Sequence, residues 1–366
     1  MNLDKNLRYP ILEVNLDKLT QNTENIVKLC GQNNIFITGV VKGCNASIEI
    51  SKIFMDHGCQ SIGSSRIEQL ISLRKKGIEA DLMMLRLPMA SEIADVVKYS
   101  NISLNSERIT LEQINSECTV LNTQHKVILM YDLGDLREGV WSTEEFINLA
   151  EYVETELSRV ELYGIGTNLG CYGSVRTTEE KMQQLVQIAE MVEERIQRKL
   201  KVISGGTTFA LPLVLDGKMP SRINHLRIGE GMLLSKDLQY FFGYNLDFMH
   251  KNAIKLIAQI IEIQDKPSFP DGELFVDSFG NFPQYNDKGR QKRALLAVGK
   301  QDFGDHNKLF PVDVSIEIIG SSSDHLIVDL SQSAKEYRVG DIVEFTLLYQ
   351  SMLYLFLSAS INKVLV

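Results

Sequence analysis

The chain has 366 residues, 44% of them hydrophobic and 23% charged, a composition that suits one large and one smaller globular domain. A net charge of −9 makes nucleic acid and anionic membrane surfaces poor partners, and no run reaches the roughly 18 apolar residues of a membrane span. Five cysteines without CxxC spacing argue against a disulfide frame or a zinc site, so no metal is expected.

The opening MNLDKNLRYPILEV has no apolar signal core, so an unprocessed, cytoplasmic protein is expected. Ile11–Asn15 reads as a short strand ahead of the main pattern, open to pairing with a barrel or with a later β-domain. Apolar runs then alternate with helical patterns. The expected strands are Ile35–Lys42, Ser61–Ser64, Leu82–Arg86, Ile102–Leu104, Lys126–Asp132, Glu161–Asn168, Lys201–Ser204 and Ile223–Ile228. Expected helices include Leu16–Cys30, Arg66–Lys76, Thr143–Leu157 and Glu179–Lys199. The last carries Met182, Leu185, Ile188, Met191 and Val192 at helical spacing. Eight strand–helix alternations point to an α/β fold, a (β/α)8 TIM barrel over residues 1–240. A doubly wound sheet is the alternative, but its glycine-rich first turn is missing, since VVKGCNAS is not GxGxxG. Beyond residue 240 the runs Ala253–Ile263, Glu273–Phe279, Arg293–Gly299, Val314–Gly320, His325–Asp329, Asp341–Leu348 and Leu353–Val364 read as strands split by turns. Residues 241–366 are therefore expected to form a C-terminal all-β domain.

Barrel enzymes place their chemistry at the C-terminal ends of strands. Those positions here are Lys42, Ser64–Arg66, Arg86, Asn105, Asp132–Arg137, Asn168, Ser204–Thr208 and Arg227–Glu230. Lys42 follows an apolar run directly, and a desolvated lysine has a lowered pKa and a reactive amine. Alone it reads more readily as a lysine snorkelling from a barrel rim. The other motifs shift that balance. ISGGTTFALP (203–212) and LRIGEGM (226–232) are two loops able to cradle an anion, at the usual phosphate corner of such a barrel. In DLGDLREG (132–139), Arg137 is placed to fix a carboxylate.

The motifs VVKG, DLGDLREG, LYGIGTN, ISGG and LRIGE resemble, in order and spacing, the alanine-racemase-type enzymes, fold-type-III enzymes of pyridoxal 5'-phosphate (PLP). FVDSFGNFP, AVGKQDF, IGSSSDHLIVD and YRVGDIVEF extend the likeness over nearly the whole chain. The details RxGE, GTNLxC, DSFG and SSDH are closer to the ornithine racemase branch. The resemblance implies that Lys42 holds PLP as a Schiff base and serves as one acid/base. It implies that Arg227 faces the pyridine nitrogen with Asn168 nearby, and that Arg137 lies beside the substrate carboxylate. Ser204, Thr207, Thr208, Gly229 and Glu230 fall at the cofactor's phosphate loops. It further implies a head-to-tail homodimer acting on a free amino acid. Arginine does not protonate the pyridine nitrogen, so the electron sink is weak and two bases on opposite faces are needed.

One departure stands out. The family's second base is a tyrosine in a YG dipeptide, and here that dipeptide is Phe279–Gly280. The replacements open to the sequence are Asp277, Cys171, His325 and Tyr285, with Asp277 leading slightly. Ser360 also stands where the family has a phosphate-contacting tyrosine. Racemisation of ornithine or another basic amino acid is therefore the expected function. A fold-type-III lyase, aldolase or decarboxylase is the alternative, and a non-catalytic PLP carrier a third reading that the extra β-domain disfavours. Asp302, Asp287 and Glu138 are the carboxylates open to recognising a distal ammonium group.

Overall fold

The structure, a computed structural model, describes residues 8–366. Expectations that fall on residues 1–7 lie outside the described residues. The chain divides into two compact units, Asp17–His250 and a second in which the described residues up to Leu16 join Lys251–Val366. Strand β1 (Ile11–Val14) belongs to the second unit.

The first unit is a closed barrel of eight parallel strands: β2 (Phe36–Val40), β3 (Ser61–Ser64), β4 (Asp81–Met84), β5 (Ile102–Asn105), β6 (His125–Met130), β7 (Val160–Gly166), β8 (Val202–Ser204) and β9 (His225–Ile228). These runs are apolar on both faces because helices cover the outside and neighbouring strands fill the inside. The helix Glu179–Ile196 shows how the outer layer is specified. Thr178 caps its start by accepting from the Lys181 N–H (3.3 Å), and Gln197, left-handed at φ 57°, ends it short of the expected Lys199. Its buried stripe is Met182, Leu185, Val186, Ile188, Ala189 and Val192, spaced three or four apart. Met191 was expected in that stripe but is 47% exposed, because it lies off the 3.6-residue line. Each larger side chain so buried contributes roughly 1.5–3 kcal/mol.

The second unit is built on the long strand β10 (Ile254–Pro267). Its first half pairs with β1 and β15 (Ile342–Leu347), and past an irregularity at Ile260/Glu262 it pairs with β11 (Arg290–Leu296). The sheet order is β12-β15-β10-β11-β14-β13, with β12 (Leu309–Pro311), β13 (Glu317–Ser321) and β14 (Leu326–Asp329); β16 (Asn362–Leu365) runs parallel to β1.

Two expected strands are corrected. Tyr349–Leu357 is a helix, and only Asn362–Leu365 of the expected Leu353–Val364 strand is extended. The alternation of Leu353, Leu355 and Leu357 imitates a strand, yet the buried residues are Ser351, Met352, Leu355 and Phe356, a helical repeat. Glu273–Phe279 is irregular rather than a strand. Phe275 (77% exposed) and Phe279 (48%) are largely open to solvent among the described residues, so no buried face stabilises an extended pairing. Among the described residues, no helix is long and apolar enough to cross a membrane.

Candidate active site

The strand-end residues do not form a full ring. After β3, β4 and β5 they are tied up locally. Ser64 donates to Gln69 (2.6 Å), Arg86 makes a double contact with Glu92 (2.7 Å each), and Asn105 donates to Ser103 (2.8 Å). The residues that act on one another follow β2, β6, β7, β8 and β9.

Lys42 opens a short 3-10 turn just past β2 and is half-buried. Burial pulls its amine below the ordinary lysine value. Cys171 and Glu138 act on it in the opposite sense, while Arg137 and Arg227 lower it further. The electrostatic neighbours of Arg227 include the same Arg137, Glu138 and Cys171. Five side chains from four strand ends therefore share one electrostatic environment.

Arg227 on β9 is 3% exposed. Burial pulls its guanidinium down to about 10, which still leaves it protonated at neutral pH. Among the described residues no carboxylate is ion-paired with it. Its Nη1 donates to Ser204 Oγ and its Nη2 to the Thr167 carbonyl (2.8 Å). Arg137 sits in the loop after β6 and pairs through two nitrogens with Glu138, which keeps it firmly protonated. The Glu138 side chain is only 12% exposed. The loop closes because Gly139, at φ +124°, passes so near the Asp132 backbone that a Cβ would lie 2.6 Å from its nitrogen.

The loop after β7 is held by Asp135, a role the sequence reading did not assign. Its carboxylate accepts from the N–H groups of Gly170 (3.0 Å), Cys171 (3.3 Å), Tyr172 (3.0 Å) and Val175 (3.3 Å). That clamp sets Cys171 beside Asn168, with its Sγ 3.6 Å from Asn168 Oδ1. Cys171 is exposed, whereas Asn168 is 5% exposed.

The two anion loops meet where the Gly231 N–H donates to Thr208 Oγ1 (3.1 Å). Gly229 packs on β2 so closely that a Cβ would lie 2.9 Å from the Val40 carbonyl oxygen, two residues before Lys42. Thr207 precedes the short turn Thr208–Ala210 and accepts the Ala210 N–H through its backbone carbonyl (2.9 Å). The Glu230 side chain turns away from the loop, accepting from the Lys236 (2.8 Å) and Asp237 (2.9 Å) N–H groups, and burial raises its pKa. Glu230 therefore offers the loop its backbone rather than its carboxylate.

The remaining expected residues belong to the β unit. Asp277 caps a turn, accepting from the N–H groups of Phe279 and Asn281 (2.9 Å each), and the Asn281 donors hold its pKa below the usual carboxylate range. His325 closes a tight turn with Ser322, whose N–H donates to its carbonyl (2.8 Å). Tyr285 is 40% exposed and packs edge-on to Phe269. A cleft at the other end of the barrel is lined by Arg74, Lys98, Asn101, His125, Lys126 and Glu161. It lies at strand N-termini, away from Lys42, and is assigned no chemistry.

The geometry fits PLP on three counts. A lysine of lowered pKa shares its electrostatic surroundings with a buried arginine that forms no ion pair among the described residues. Asn168 Nδ2 and Thr167 Oγ1 are buried polar atoms with no hydrogen-bond partner among the described residues, and the Thr167 carbonyl is itself bonded to that arginine. Two loops built from small residues adjoin them.

A family model described as "Alanine racemase, N-terminal domain" matches residues 14–236. The chain is 41% identical to ornithine racemase of Acetoanaerobium sticklandii, over 97% of this chain and 99% of that protein. It is 34% identical to lysine racemase of Thermotoga maritima, over 97% and 98%. Among solved structures, alanine racemase of Clostridium difficile 630 superposes with a TM-score of 0.72 at 19% identity, covering 99% of this chain and 97% of that one.

Proposed function

We infer the function from one premise: this chain belongs to the alanine racemase family, whose members are PLP enzymes. Its reaction is the racemisation of a free basic amino acid, ornithine or lysine. The observation that carries this reading is the shared environment of Lys42, Arg137, Glu138, Cys171 and Arg227. The two relatives aligned over nearly the whole chain are named for ornithine and lysine.

PLP, when bound, supplies the electron sink that acidifies the Cα–H bond. The residues that would hold it are Lys42, Asn168, Arg227, Thr207, Thr208 and the backbone of Gly229 and Glu230. Arg137 binds the substrate carboxylate, as a guanidinium suits a planar anion. Lys42 moves the Cα proton on one face, a role suited to an amine that burial pulls below the ordinary lysine value. Cys171 moves it on the other. Cys171 is preferred to Asp277 and His325 because it acts on Lys42 and Arg227, whereas the Asp277 carboxylate caps a turn and His325 is not among the groups that act on either. Glu138 meets the distal ammonium. Among the described residues it is the carboxylate that acts on both Lys42 and Arg227, and a buried acid there would reward a cationic side chain.

Two coarser points belong to the same proposal. Phe269, Phe275, Phe279, Phe282 and Tyr285 are each at least 40% exposed, which supports a head-to-tail homodimer that covers them. The five cysteines are unpaired, which suits a reducing, cytoplasmic setting.

The test is Cα isotope exchange. The PLP-loaded protein, given L-ornithine or L-lysine in D2O, should yield the D-form carrying deuterium at Cα. No D-product from any basic or small amino acid removes the racemase reading. Cleavage of a D-amino acid would put a lyase in its place.

A further inference from the structure

His225 precedes Arg227 by two residues on β9, so the period-two alternation of a strand puts both side chains inside the barrel. Neither is accessible to solvent beyond 3%. From Arg227 a continuous line of side chains runs inward. Arg227 Nη1 donates to Ser204 Oγ, which lies 2.8 Å from His225 Nδ1. His225 Nε2 lies 2.8 Å from Thr38 Oγ1, itself 2.6 Å from Ser61 Oγ. The barrel register explains the line, since Thr38 pairs with both Arg227 and Ser61 across neighbouring strands.

Proton bookkeeping gives the line a direction. A guanidinium only donates, so Ser204 Oγ accepts from Arg227 and keeps its single proton to give. The atom in reach is His225 Nδ1, which must then be bare. Nε2 carries the ring proton and donates to Thr38, and Thr38 donates on to Ser61. The opposite tautomer would aim two donors at Ser204 and leave its own proton without an acceptor in a sealed interior, where unmet polar groups are costly.

We propose that His225 is a positioning residue for Arg227, locked as the neutral Nε2–H tautomer so that Ser204 is held as the guanidinium's acceptor. Burial, and then the charge of Arg227, hold the imidazole neutral. The groups facing it are Arg227, Ser204, Thr38 and the Phe36 ring, whose centroid lies 4.8 Å away. Arg227 is thus oriented by neutral oxygens and keeps its whole charge. The consequence for chemistry rests on the reading that Arg227 faces the cofactor ring; the relay itself does not.

The test reads the imidazole directly. In 15N-labelled holoenzyme, two-bond 1H–15N correlations resolve the tautomers of the six histidines, and His225→Asn assigns the signal that vanishes. His225 should be the Nε2–H tautomer from about pH 6 to 9, a window in which an ordinary histidine titrates. An Nδ1–H signal, or an imidazolium at neutral pH, overturns the proposal. Ser204→Ala serves if His225→Asn does not fold. It should displace the Nδ1 resonance, move the cofactor absorption band, and lower kcat/KM on the order of 10- to 100-fold, the range seen for residues that orient a binding group. An unmoved resonance and band overturn the relay. The expected tautomer together with no D-amino acid product would instead count against the racemase reading and leave the relay standing.

Discussion

The Asp135 clamp offers a perturbation whose size follows from counted contacts. Each carboxylate oxygen accepts two N–H groups from the loop that carries Cys171: Oδ1 from Gly170 and Val175, Oδ2 from Cys171 and Tyr172. Asp135→Asn keeps the shape but turns one oxygen into an NH2 group, so two loop donors face a donor. Hydrogen bonds to a charged group contribute about 1.5–3 kcal/mol each, so the gross loss is about 3–6 kcal/mol. Water reaching the loop restores about half of it, leaving roughly 1.5–3 kcal/mol, or about a 10- to 150-fold rise in local opening. Amide hydrogen exchange over residues 170–175 measures this, with the strands β6 and β8 as the internal reference. Faster exchange confined to the loop is expected. Unchanged protection in a folded variant would refute the clamp. Its pH dependence follows with a definite sign. Burial pushes the Asp135 carboxyl up, but the backbone donors outweigh it and hold it below the ordinary aspartate value. A depressed folded pKa gives stability that is complete above the unfolded value, about 3.9, and lost as pH falls through the folded one. Loop protection in the natural protein should therefore fade only below about pH 4, and the asparagine variant should lack that transition.

Lys42→Ala should abolish the absorbance of bound cofactor in the region of roughly 410–430 nm and all D-product; a retained band would place the lysine elsewhere. Cys171→Ser should cut racemisation on the order of 10²- to 10⁴-fold, the contribution of a positioned acid/base. Lys42 should still exchange the Cα proton of one enantiomer, so equal loss of exchange from both would sink the assignment. Glu138→Gln should lower kcat/KM for ornithine and lysine at least tenfold more than for a neutral amino acid such as norvaline, the size of one charge-assisted contact; an unchanged ratio would clear Glu138 of a role in specificity. Phe275→Asp with Phe282→Asp should yield a monomer by sedimentation if these rings lie in an interface, and an unaltered oligomer would remove them from it.

Much of the barrel was legible because its strands are short, continuous and apolar, and its helices keep a clean 3.6-residue stripe. Lys42, Arg137 and Arg227 could be singled out because one ends an apolar run, one lies in the loop after another, and one is a lone cation inside a third. The helix Tyr349–Leu357 was not, since its leucines alternate in sequence while its burial follows a helical repeat. Nor was the idleness of Ser64 and Arg86, which depended on Gln69 and Glu92 arriving from the following turns. His225 could have been found: it lies two residues before Arg227 in an expected strand, and equal parity puts both on one face. The placing of Cys171 was beyond sequence, because it is held beside Asn168 through a clamp from another loop, and a turn-capping aspartate such as Asp277 looks no different in a string of letters.

The charge balance at the barrel mouth ties these features together. Among the described residues three basic side chains, Lys42, Arg137 and Arg227, act there against one carboxylate, Glu138, and one thiol. A bare excess of positive charge in a half-buried site is unfavourable by itself. It becomes favourable when the ligands are a phosphorylated cofactor and an amino-acid carboxylate, so the imbalance describes what the site is built to receive. The same reasoning says why Arg227 is backed by serine, threonine and a neutral histidine rather than by an acid. A carboxylate partner would cancel the charge of the guanidinium, whereas a line of hydroxyls that passes through an imidazole to Thr38 and Ser61 fixes it and leaves that charge in place.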